Sequence, residues 1–106
     1  SCVLTLLNLR TFLHLQHLLA QKHSQHVVLN EAYDLAEDAA DRIAEQMMGA
    51  GIPFGLSQQD PIAAIEEVLA ELTAAKETLD YYPELVNTLD DLIGQFRQKV
   101  YLLKME

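Results

Sequence analysis

The stretch Gly49-Ala50-Gly51-Ile52-Pro53-Phe54-Gly55-Leu56-Ser57-Gln58-Gln59-Asp60-Pro61 decides how this chain is organised. It holds five of the chain's four glycines and three prolines, and none of the seven lies before Gly49. Glycine ends helices and proline is tolerated only in their first turn, so this stretch cuts the 106-residue chain into two halves of similar size. On the C-terminal side, Asp60-Pro61 reads as an N-cap followed by the first helical position. Ile62, Ile65, Val68, Leu69, Leu72 and Leu79 then keep a helical period to about Asp80. Pro83 opens a further helix, with Leu85, Leu89, Leu92, Ile93, Phe96, Val100 and Leu103 on one face. No stretch alternates in the manner of a strand.

On the N-terminal side the helical pattern runs from Val3 to Met48 without a breaker. The polar cluster Gln21-Lys22-His23-Ser24-Gln25-His26 interrupts the leucine-rich pattern, and Ser24 is placed to cap a second helix. The spacing predicts an all-α single domain over residues 1–106, an up-down-up-down bundle of four helices at roughly 3–21, 25–49, 61–80 and 83–104. His23 falls in the exposed turn, and Gly49-Ala50-Gly51 reads as a helix end rather than a phosphate-binding loop.

Seven Lys and Arg against sixteen Asp and Glu give a net charge of −9. That balance disfavours DNA and anionic membrane surfaces and suits cations, metals included. Half the residues are hydrophobic, enough for a packed core in one soluble domain. The single cysteine, Cys2, leaves no disulfide framework and fits a reducing, cytoplasmic setting. The apolar run from Val3 to Leu9 is too short to span a membrane. Ser1 stands where an initiator Met would, so the natural start is expected upstream. Ser24 and Ser57 have no spaced His and Asp partners that would mark a nucleophile.

Two stripes carry the candidate chemistry. Arg10, His14, His17 and Gln21 fall on one thin polar stripe of an otherwise apolar first helix, which predicts burial on two flanks, one of them against another subunit. Glu31, Asp34, Asp38, Asp41 and Glu45 share a stripe of the second helix, opposite Leu29, Ala32, Ala36, Ala39, Ile43 and Met47. Such a carboxylate row is either a solvated face or one side of a metal site. An antiparallel return near residue 22 brings His14 near Asn30 and Glu31, and His17 near Val27 and His26. Mixed imidazole and carboxylate donors suit iron, and zinc or manganese in the same site. Asp41 lies fifteen residues beyond His26, about 22 Å along a helix, so Asp41 and Glu45 reach the histidines only from a two-fold mate.

His14, His26 twelve residues on, Asn30, Asp41, Glu45 and Gly51 resemble, in residue type and spacing, the metal-site motif of the Dps-like miniferritins of the ferritin-like superfamily. The segment His26-Val-Val-Leu-Asn-Glu-Ala-Tyr-Asp34, with His17 before it, is most similar to short Dps-related proteins encoded by phages. The resemblance covers residues 3–51 and implies a ferritin-like bundle that binds and oxidises Fe(II) at two-fold interfaces. It implies His14 and His26 as ligands, with His17 taking the first histidine position in the phage-type alignment, and Asp41 and Glu45 supplied by the mate. Asn30 stands where those proteins have Asp, and Glu31 or Asp34 is the substitute at hand. The implied assembly is a homo-oligomer through the first two helices, a dimer or a dodecameric shell. The chain lacks the Lys-rich DNA-binding tail and the Trp common near the site in that family. A different class also fits: a non-catalytic helical module that keeps the fold and uses the leucine-rich helix and acidic stripe to hold a protein partner.

Overall fold

The computed structural model describes residues 1–105, which form four α-helices and no strand. They are α1 (Cys2–Leu19), α2 (His23–Ala50), α3 (Pro61–Thr78) and α4 (Pro83–Lys104). Every end falls within two residues of its expected position. The chain divides into two compact units, Ser1–Ser57 and the residues from Gln58 onward, each a helical hairpin.

Local chemistry explains most of the boundaries. Ser1 caps α1, accepting from the Leu4 amide at 3.5 Å. Asp60 Oδ1 accepts from the Ile62 amide at 2.9 Å, and Pro61 occupies the first turn of α3 without a lost hydrogen bond. At the end of α2, Gly51 adopts φ +69°, donating to the Met48 carbonyl while Ile52 donates to that of Met47. This is a Schellman closure, and the positive φ explains the glycine. Ser24 departs from expectation. The second helix begins earlier, at His23, with Lys22 at the cap position and no side-chain cap, so Ser24 lies inside the first turn.

In the first hairpin α1 and α2 run antiparallel, joined by Ala20, Gln21 and Lys22. Val3, Ala36 and Ala40 are buried between them, and Leu29, Ala32, Ala39, Ile43 and Met47 are half-buried. The small side chains at 36 and 40 let the helices approach closely. The acidic stripe of α2, Glu31, Asp34, Asp38, Asp41 and Glu45, is exposed.

In the second hairpin Ile93 and Val100 of α4 are buried, with Ile62, Ile65, Leu69, Leu72, Leu89 and Phe96 half-buried around them. Lys76 Nζ donates to Asp90 Oδ1 at 2.8 Å across this pair. Val68, Leu85, Leu92 and Leu103, expected on the packed faces, remain exposed. No helix among the described residues is long and apolar enough to cross a membrane.

Candidate functional site

The polar stripe of α1 faces α2, and it forms a seam of rings and charges along the first hairpin. Nearest the turn, His17 Nδ1 donates to the His26 carbonyl at 2.9 Å and His26 Nδ1 donates to the His17 carbonyl at 3.1 Å. A carbonyl oxygen can only accept, so each Nδ1 carries the proton. In the neutral rings Nε2 therefore keeps its lone pair. The two imidazoles stack with centroids 3.7 Å apart. The His17 carbonyl lies in the last turn of α1, where it accepts from the Ala20 amide at 3.3 Å, and His26 adds a second donor. His17 is buried and His26 exposed.

One turn further from the connection, His14 stacks on the Tyr33 ring at 4.4 Å with planes 17° apart. Tyr33 also meets His17 edge-on at 5.4 Å, and its hydroxyl donates to Asn30 Oδ1 at 2.8 Å. The seam closes with Arg10, whose guanidinium sits 5.9 Å from the Tyr33 centroid and 3.8 Å from Glu37. Its Nε is buried with no hydrogen-bond partner. A partly exposed carboxylate and guanidinium at that distance contribute little to stability. The Arg10 stem and cation–π contact matter more.

The expected proximity of His17 to His26 is present. His14, placed by sequence beside Asn30 and Glu31, instead meets Tyr33. Helical side chains lean toward their own N-terminus, so His14 leans away from the turn while Tyr33 leans toward it, and the two meet between their backbone positions. Gln21 is exposed in the turn rather than part of the seam. Asn30 is engaged on both sides: its oxygen accepts from Tyr33 and its Nδ2 donates to Asp34 Oδ2 at 3.5 Å. Glu31, Asp41 and Glu45 lie on the exposed stripe, with no hydrogen bond or ion pair among the described residues.

Both histidines of the pair keep an Nε2 lone pair that could serve a ligand. Histidines that ligate metals through Nε2 characteristically donate Nδ1–H to a carbonyl, the arrangement of both His17 and His26. Among the described residues no group of three His, Cys, Asp or Glu converges on a single point, the three seam histidines included. Tyr33 is the residue that sequence reasoning passed over. Its signal was available, since it lies seven residues beyond His26 and so on the same face of α2.

No characterised protein and no solved structure matches the chain significantly. A sequence-family profile does match, over residues 17–103, a span that begins at the seam histidine His17 and runs almost to the end of α4. The chain belongs to that family, the family of unknown function DUF5856.

Proposed function

We propose that this chain is a ferritin-like, Dps-related metal-binding protein whose histidine seam takes up a divalent transition ion, Fe(II) being the substrate its ligand set suits best. The observation that carries the reading is the pair of Nδ1–H donations from His17 and His26 to backbone carbonyls, which presets both Nε2 atoms as ligands. The two rings stack 3.7 Å apart with planes 30° apart, so binding of one ion by both is expected to shift them relative to each other. On this reading His14, His17 and His26 anchor the ion, with Asp34 or Glu31 nearby. The reading takes the four helices as an up-down-up-down ferritin-like bundle and places Asp41 and Glu45 of a second copy opposite the histidines. Charge neutralisation by those carboxylates favours a ferroxidase role, in which the redox chemistry belongs to the metal.

Self-association has separate support. α1 contains no Asp or Glu, whereas α2 holds six against the single Arg42. In a chain of net charge −9, α1 is the surface on which a second copy docks without charge repulsion. Phe12, Leu15, Leu18 and Leu19 are more than half exposed there.

The test uses native mass spectrometry after anaerobic Fe(II) addition, with Zn(II) in parallel, on three samples. Wild-type oligomers are expected to bind metal in fixed proportion to chains. Chains carrying His17→Ala with His26→Ala, and chains carrying Asp41→Asn with Glu45→Gln, are each expected to lose it. Mixing the two variants restores complete sites in mixed dimers, because one chain then supplies histidines and the other carboxylates. Wild type that takes up no metal overturns the reading. It would favour the second one, a non-catalytic module that keeps the helices and holds a protein partner through the exposed leucines of α1.

A further inference from the structure

The three seam histidines are held in two different ways, and the difference singles out Tyr33. His17 and His26 are fixed by hydrogen bonds to backbone. Neither ring nitrogen of His14 has a hydrogen-bond partner among the described residues, so no polar contact fixes its χ2 torsion, which is intrinsically broad. What meets it is the Tyr33 face, 4.4 Å away and nearly parallel. Tyr33 is itself locked on three sides. Its hydroxyl donates to Asn30 Oδ1, the edge of His17 abuts it, and the Arg10 guanidinium lies over the ring. Asn30 is oriented in turn, because the Asp34 carboxylate can only accept and so claims the amide nitrogen, leaving Oδ1 to Tyr33.

We infer that Tyr33 is a positioning residue for His14: the Asp34–Asn30–Tyr33 chain sets the plane of the imidazole and leaves both of its nitrogens open to a ligand. The metal-binding reading supplies only the identity of that ligand, a divalent first-row transition ion. The orienting role stands on the stack and the hydrogen bonds. It also gives Asn30 a task of its own, holding the Tyr33 hydroxyl on one side and the Asp34 carboxylate on the other. An aspartate at position 30 would lack the amide donor that keeps Asp34 in line.

The test combines ring-selective NMR of the histidines with Zn(II) titration by calorimetry on the full chain. The His14 ring protons are expected upfield in wild type, shielded by the Tyr33 face. In Tyr33→Leu that shift is lost and Zn(II) affinity falls about tenfold, the lower end for outer-shell groups. Tyr33→Phe keeps the plate without its anchor, so its His14 signals stay upfield and broaden and its affinity loss is smaller than that of Tyr33→Leu. Asn30→Ala is expected to match Tyr33→Phe, and since both leave the aromatic packing intact they report even if Tyr33→Leu unfolds. Unchanged His14 signals and unchanged affinity in all three variants overturn the inference. Wild type that binds no Zn(II) while His14 signals broaden in Tyr33→Phe and Asn30→Ala overturns the metal reading and upholds the orienting role.

Discussion

His17 and His26 each donate Nδ1–H to the other's backbone carbonyl, at 2.9 and 3.1 Å, while their rings stack at 3.7 Å. The pair therefore ties the last turn of α1 to the first turn of α2 by two kinds of force. Either hydrogen bond survives removal of the other ring, because its acceptor is backbone. The stack does not.

That asymmetry makes a double-mutant cycle informative. His17→Ala and His26→Ala each remove one hydrogen bond, worth about 1 kcal/mol, and the shared stack, worth about another 1 kcal/mol. Each single variant is expected to lose about 2 kcal/mol in urea unfolding monitored by circular dichroism, His17→Ala the more because His17 is buried. The double variant counts the stack only once, so the coupling energy is about 1 kcal/mol. Strict additivity would show that the rings do not stack in solution.

Gly51 tests the helix end. An alanine there meets nothing within 4 Å of its Cβ, so sterics with neighbours are irrelevant. The φ of +69° alone sets the cost, about 1 kcal/mol for a left-handed alanine. Gly49→Ala, in helical conformation and also in open space, is expected to be neutral or stabilising by up to about 1 kcal/mol. Thermal melts of the two variants should move in opposite directions.

Element boundaries were legible because glycine, proline and aspartate act locally. Gly51, Pro61 and Pro83 act through their own backbone geometry and Asp60 through a side chain that reaches two residues on, and each sits where the sequence places it. Ser24 misled because a cap needs a side chain aimed at free amides. The chain turns at Ala20 to Lys22 instead, α2 starts at His23 without a side-chain cap, and the His17–His26 pair bonds carbonyls across the turn rather than the free amides. The seam was half legible. Counting residues back from the turn found His17 opposite His26, but counting treats side chains as perpendicular spokes, and the lean of His14 and Tyr33 moved that contact by three residues. Tyr33 lies on the seam face seven residues beyond His26, yet its contacts are a stack and one hydrogen bond, so ligand chemistry alone does not single it out.

Asp60 offers a local test in the second hairpin. Its Oδ1 accepts from the Ile62 amide at 2.9 Å, leaving that first-turn donor satisfied. Asp60→Ala is expected to lower stability by about 1 kcal/mol, while Asp60→Asn keeps most of the cap. Equal melting temperatures for wild type and Asp60→Ala would show that α3 does not rely on this cap.

The exposed leucines of α1 give the prediction with the widest reach. Leu15 and Leu18 are 54% and 66% exposed, so replacing them removes little apolar burial within the chain. Leu15→Gln with Leu18→Gln is therefore expected to leave helix content unchanged and to cost under about 0.5 kcal/mol of intrinsic stability. If α1 docks a second copy, the same change buries two unpartnered amides at the interface and weakens association by at least about tenfold, a cost of some 1.4 kcal/mol. Sedimentation equilibrium across a concentration series separates the two effects. Raised salt sharpens the result, since screening the repulsion between chains of net charge −9 should strengthen wild-type association while leaving the variant monomeric. Wild type that stays monomeric at every salt concentration would remove the mate that Asp41 and Glu45 require, and with it the interfacial site.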